Sequence, residues 1–218
     1  MTHPLRVLIT GFEPFPGAPY NPTQPLVARL TRLRRPVLAD VELKGHIFPV
    51  TYSAVDRQLP KLLEKHRPQA LLMFGLAART SWIRIESRAR NAVTTLWPDA
   101  DHTRVRKGSI ADGTEAMMFG PHTAKLLQAA LTTGVDARGS RDAGSYLCNY
   151  LSWRAIEAVN SDKGPRVAAF IHVPLLRRDS ASRRKGTTRL TLEELVDAGE
   201  AMLMEMVKLT RKAIREAA

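Results

Sequence analysis

The sequence predicts an α/β fold, a mostly parallel sheet with helices on both faces. Strand-like and helix-like segments alternate along the chain, the pattern from which such sheets are built. Two of the strand-like segments, Ala70 to Phe74 (ALLMF) and Val167 to Val173 (VAAFIHV), are almost continuously apolar, as strands covered on both faces are. No internal repeat, low-complexity tract or linker interrupts the 218 residues, so residues 1–218 are expected to form one domain.

The elements are expected in this order. Arg6 to Thr10 (RVLIT) is a β-branched run ended by Gly11. Asn21-Pro22 opens a helix through Leu33, with asparagine as N-cap and proline in the first turn. Val41 to Val50 reads as a strand. Ala54 to Lys65 has helical apolar spacing at Val55, Leu59, Leu62 and Leu63, with Pro60 as an interruption. The buried strand at Ala70 follows, and then Trp82 to Glu86 (WIRIE), which alternates apolar and polar. Pro121 to Leu131 is expected to be helical. The second apolar strand ends at Pro174. A last helix runs from about Leu192 to Arg215, with Thr191 and Glu194 as a capping box and Leu195, Met202, Leu203, Met206 and Val207 in its apolar stripe. Trp97 to Gly113 and Arg177 to Thr188 are expected to be long loops.

The bulk numbers narrow the class. A hydrophobic fraction of 44% and a charged fraction of 25% are ordinary for a globular protein. The single cysteine cannot form an internal disulfide, which favours a reducing compartment. With neither a signal peptide nor an apolar run long enough to cross a bilayer, a cytoplasmic location and no membrane partner are expected. The formal charge of +12 raises nucleic acid as a partner. Its densest patch, Arg177, Arg178, Arg183, Arg184 and Lys185, lacks the interleaved aromatics of a stacking groove, and reads as a solvated loop.

Chemistry concentrates in three segments. Cys148 lies near the start of a helix in DAGSYLCNYL, with Ser145 as the expected N-cap. A helix N-terminus favours a thiolate and offers free amides to a developing oxyanion. The competing reading is a buried structural cysteine. His172 falls at the C-terminal end of a buried strand, where open α/β sheets place their sites. A satisfied core histidine is the alternative. Glu86 ends an alternating stretch beside Arg84, Arg88 and Arg90, a pattern that also fits a surface carboxylate paired with arginine. No HExxH or Cys/His cluster is present, so no metal is expected. The loop Thr10 to Gly17 stands where a phosphate loop would. Its glycine spacing fits neither phosphate motif, and Phe12 and Phe15 suit a planar apolar ligand better.

Four blocks together resemble the pyroglutamyl peptidase I family, also called pyrrolidone-carboxylate peptidases. They are residues 10–15 (TGFEPF) with Asn21-Pro22-Thr23, residues 86–91 (ESRARN), residues 142–149 (DAGSYLCN), and His172-Val173-Pro174. The resemblance implies a three-layer α/β/α sandwich of the phosphorylase/hydrolase-like kind. It implies a Glu86/Cys148/His172 triad that removes an N-terminal pyroglutamyl residue from peptides, with no cofactor. It also implies a pocket walled by Phe12, Phe15, Tyr146, Leu147 and Leu76, a partner that is a peptide with a blocked N-terminus, and a homo-oligomer, a tetramer in many bacteria. The chain departs from the pattern at Leu76, where many bacterial members have glutamine. It departs again near Leu96, where they have arginine. Both changes are expected to make the pocket more apolar. Three alternatives stay open: the same chemistry on another small N-terminal group, a basic nucleic-acid-binding protein on a hydrolase scaffold, and a catalytically silent homologue.

Overall fold

The computed structural model describes residues 4–15, 17–176 and 190–217. The expected loop Arg177 to Thr188 and its basic patch lie outside the described residues. Among them, eight strands and five α-helices follow one another as β1 (Leu5–Phe12), α1 (Thr23–Leu30), β2 (Val41–Phe48), α2 (Tyr52–His66), β3 (Ala70–Leu76), β4 (Ile83–Glu86), β5 (Arg88–Arg90), β6 (Ala116–Met118), α3 (His122–Leu131), β7 (Ala137–Ser140), α4 (Leu147–Val159), β8 (Val167–Val173) and α5 (Leu192–Glu216). Six strands form one sheet in the order β2-β1-β3-β8-β4-β7. β2, β1, β3 and β8 run parallel. β4 is antiparallel to β8, and β7 runs with β4. The sheet is therefore mixed and mostly parallel, as expected, with helices on both faces.

Alternation along the strands sorts the core in two. Val7, Ile9, Leu72, Phe74, Ala169 and Ile171 point to the face covered by α1, α3 and α5. Leu8, Leu71, Met73, Ala168 and Phe170 point to the face covered by α2 and α4. The helix α5 carries the expected stripe, and its capping box is complete: the Thr191 hydroxyl accepts from the Glu194 amide, and the Glu194 carboxylate accepts from the Thr191 amide.

Several boundaries shift for identifiable reasons. Pro60 does not break α2, because it faces solvent, where water can satisfy the carbonyl that loses its donor. The first helix stops at Leu30, before the expected Leu33, and the Thr31 hydroxyl bonds back to the Val27 carbonyl. Its N-cap position is Pro22, yet the Asn21 side chain still accepts from the Thr23 amide at 3.1 Å. The short strand β7 and the β5–β6 ribbon were not expected from the sequence. Trp97 to Gly113 is irregular, as expected.

Candidate active site

The site forms where α4 meets the C-terminal ends of β3 and β8. The nucleophile segment is built by a turn. Gly144 adopts φ +84°, a left-handed conformation open to glycine, and its amide donates to Asp142 Oδ1 at 2.9 Å. The chain then extends through Tyr146 and enters α4. The N-cap is Tyr146, one residue after the expected Ser145, and no side chain caps the helix. Cys148 is the second residue of α4. The first-turn amides beside it have no partner within the helix.

The sulfur needs room, and Gly75 provides it. A Cβ at position 75 would lie 2.7 Å from Cys148 Sγ and 2.6 Å from Phe170 Cζ. β3 and β8 pair Gly75 with His172, so the thiol sits above that pair.

His172 is buried, with its ring edge-on to Phe170 at 5.1 Å. Its Nδ1 lies 2.8 Å from Glu86 Oε1, and Cys148 on α4 is its other electrostatic partner. Glu86 is fully buried. The antiparallel pairing explains how: Arg84 stands opposite His172 and Glu86 opposite Phe170, so all four side chains share one face, with Glu86 set deeper than the histidine. Burial alone would raise the Glu86 carboxyl, but the His172 and Ser140 hydrogen bonds and the Arg84 charge outweigh it and hold it below the usual range. Burial pulls His172 down, and the opposing Cys148 and Glu86 charges and hydrogen bonds carry it up to about 9. This electrostatic setting favours the imidazolium form of His172.

A cavity of about 160 Å³ opens above the sulfur. Its walls include Phe12, Phe15, Leu76, Tyr146 and Leu147, the five expected from the motif resemblance, with Cys148 and His172 among its lining residues. Among the described residues, no charged side chain apart from that histidine lines it. The sequence reading missed Asn21, Val50 and Ala143 in the lining. Asn21 had a signal, but it read as a helix cap, and its Nδ2 also donates to the Glu13 carbonyl at 3.1 Å.

Leu96 corrects an expectation. It is 73% exposed and does not line the cavity. Its segment is pinned on either side, by the Thr94 amide to the Ser145 carbonyl at 2.6 Å and by the Tyr146 hydroxyl to the Pro98 carbonyl at 2.9 Å. Leu96 and Trp97 project outward between those anchors.

The supporting residues around the site were also missed. Asn149 clasps residues 90–92: its Oδ1 accepts from the Arg90 amide, and its Nδ2 donates to the Arg90 and Ala92 carbonyls, all within 2.9 Å. Arg90 pairs with Asp142 at 2.9 Å, and Arg88 donates to the Arg141 carbonyl at 2.7 Å. Asn91 holds the backbone of Ile110, Ala111 and Thr114. The second and third motif blocks are thus bonded directly to each other. Among the described residues no group of His, Cys, Asp and Glu could hold a metal ion. Among them, too, no helix is long and apolar enough to cross a membrane.

Comparison with known proteins agrees over almost the whole length. The profile of the pyroglutamyl peptidase family matches residues 5–208. A pyrrolidone-carboxylate peptidase of Pyrococcus furiosus is 32% identical over 79% of this chain and 82% of its own. One from Thermococcus kodakarensis is 29% identical over 95% and 99%. Among solved structures, the pyrrolidone carboxyl peptidase of Thermococcus litoralis superposes with a TM-score of 0.84 at 28% identity, covering 95% of this chain and 96% of that one. That of Fervidobacterium islandicum gives 0.83 at 27%, covering 94% and 99%.

Proposed function

This chain belongs to the pyroglutamyl peptidase family, and on that premise we propose that Cys148, His172 and Glu86 carry its reaction. It is a cysteine peptidase that removes an N-terminal pyroglutamyl residue from peptides. The observation that supports the residue assignment is one continuous arrangement: a buried carboxylate 2.8 Å from a buried imidazole, which lines one cavity together with the chain's single thiol.

The roles follow from that arrangement. Glu86 keeps a proton on His172 Nδ1 and leaves Nε2 for the sulfur. Cys148 Sγ attacks the carbonyl carbon that joins the pyroglutamyl ring to the next residue. The first-turn amides of α4 stabilise the oxyanion. His172 gives its proton to the leaving amine as the C–N bond breaks, and a thioester remains. Water, deprotonated by His172, then attacks the thioester and releases pyroglutamate and the thiol. The ring is a neutral lactam, so Phe12, Phe15, Tyr146 and Leu147 suit it as walls, and a lining that among the described residues holds no arginine matches its lack of charge.

Self-association, as a tetramer, and a cytoplasmic setting are part of the same proposal and rest on the motif resemblance. No nucleic-acid partner is proposed.

The test is release of a fluorogenic amine from a pyroglutamyl amide, compared with prolyl and alanyl amides. Cys148→Ala should lower the rate by at least about 10³-fold while leaving the circular dichroism spectrum unchanged. Retained hydrolysis by that variant would overturn the assignment, because no second thiol exists.

A further inference from the structure

Arg84 stands at the junction of the elements that carry the proposed triad. Its Nη2 lies 2.9 Å from Glu86 Oε1 and 2.9 Å from Ser140 Oγ on β7, and it donates to the Asp142 carbonyl in the loop that leads into Cys148. The side chain is only 21% exposed. A nitrogen with two hydrogens cannot serve three acceptors equally, so its hold on Glu86 is one of charge as well as hydrogen bonding.

We propose that Arg84 is a positioning residue that sets the pH range of the reaction, by keeping Glu86 a carboxylate turned toward His172 and tying it to the loop before Cys148. The proposal rests on the triad assignment above. Its physical basis is the reaction cycle. While His172 is an imidazolium, Glu86 has a cation beside it. Once His172 has given its proton to the leaving amine, a fully buried carboxylate would face a neutral ring, and a buried carboxylate without a cation tends to take up a proton. Arg84 is a fixed charge that does not titrate, so Glu86 stays ionised through that step.

The same charge acts on its neighbours. Among the described residues, the charged and titratable groups facing Glu86 and His172 are Arg84 on β4 and Cys148 on α4. β7 contributes the uncharged Ser140, β3 contributes Gly75, and Asp142 in the adjoining loop is paired with Arg90. A fixed cation lowers the pH at which every nearby acid gives up its proton. Removing it should therefore shift both limbs of the pH profile upward: the acid limb, where the thiolate–imidazolium pair forms, and the basic limb, where the imidazolium is lost.

The experiment measures kcat/KM for a pyroglutamyl amide and the rate of iodoacetamide alkylation of Cys148, each against pH. Arg84→Met should move the midpoints up by at least about half a pH unit. It should also lower kcat with little change in KM. Arg84→Lys should restore the midpoints but not the full rate, since it keeps the charge and loses the planar fork. Arg88→Gln, which removes a tether to the same loop, should leave the midpoints in place whatever it does to stability. Should Arg84→Met fail to fold, Arg84→Gln keeps a donor for Ser140 and Asp142 while removing the charge, and carries the same test. Midpoints that superpose on the wild type, or that Arg88→Gln moves equally, would overturn the proposal. A wild type that cleaves no pyroglutamyl amide sinks the substrate assignment instead, and the alkylation profile still decides the role of Arg84.

Discussion

The two faces of the central sheet obey the same alternation and hold different things. Under α1, α3 and α5, residues such as Val7, Ile9, Leu72, Phe74 and Ile171 form an unbroken apolar layer. Under α2 and α4 the layer begins the same way, with Leu8, Leu71, Met73 and Ala168. Toward the C-terminal ends of β3 and β8 it gives way to Gly75 and His172, and the antiparallel β4 adds Arg84 and Glu86 beside them. On the first face what matters is volume and hydrophobicity. On the second, near the site, each position also fixes the place or charge of a reacting group. Substitutions of equal size should therefore diverge between the faces.

The sharpest contrast is between two glycines. Gly75→Ala would put a Cβ within 2.7 Å of both Phe170 Cζ and Cys148 Sγ. Either the phenylalanine or the thiol has to move, and a sulfur displaced by an ångström leaves its line with His172. A loss in kcat/KM of about 10²-fold is expected. Gly199 faces the other side, inside α5. The atoms nearest an added Cβ there would be methyl ends of Leu26 and Leu30, at 3.1–3.3 Å. Those ends can shift, and alanine gains about 1 kcal/mol of helix propensity over glycine, so Gly199→Ala should leave kcat/KM unchanged and the melting temperature close to that of the wild type. Amidase kinetics and thermal melts of the two variants decide this, and equal kinetic losses would mean that the faces do not differ in the way described.

A smaller effect separates two phenylalanines on the same side of the sheet. Phe15 is half-buried and lines the cavity. Phe119 is buried in the apolar layer and does not line it. Phe15→Ala should raise KM roughly tenfold, as loss of about 1.4 kcal/mol of ring contact would. Phe119→Ala should cost about 3–5 kcal/mol of stability and leave KM alone. Michaelis constants measured below the melting transition of both variants separate the two, and equal changes in KM would show that the cavity is not where the ring binds.

The same difference between faces governs how much could be read from the sequence. Periodicity reveals apolar layers, so the sheet's central strands and α5, with its Thr191/Glu194 box, were legible. It is weak where a strand is short and carries arginines: β5 (Arg88–Arg90) alternates over only three residues, too few to register, and β7 (Ala137–Ser140) shows no alternation. Cys148 and His172 carried chemical signals. Glu86 did not, since a carboxylate between arginines looks like a surface ion pair. The pairing with Arg84 is real, and what the sequence could not show is that the antiparallel β4 sinks that pair beneath a histidine 86 positions away. Leu96 failed for a related reason. Its position in the chain is near the site, but hydrogen bonds on either side, from the Thr94 amide to Ser145 and from the Tyr146 hydroxyl to Pro98, turn the segment outward.

The smallest effect is expected at Leu76, and it tests what the cavity wall contributes. Leu76 ends β3, beside Gly75, is half-buried and lines the cavity. A lactam ring presents one N–H and one carbonyl, and leucine can meet neither. A glutamine side chain could meet one of them, and a hydrogen bond made in a partly dry cavity contributes about 0.5–1.5 kcal/mol. Against this stand the rotamer freedom that a longer polar side chain loses on ordering, and the apolar contact that leucine gives the ring. These terms nearly cancel, so Leu76→Gln should leave KM unchanged or lower it by no more than about tenfold. The bonds from Glu86 to His172 and from Arg84 to Glu86 do not involve residue 76, so kcat should not move. A drop in kcat would mean that Leu76 helps to seat His172 or the thiol, and would add one more residue to the chemically constrained part of the cavity wall. A rise in KM would mean that the apolar wall holds the ring more tightly than a polar partner can, and that leucine here is a working part of the pocket.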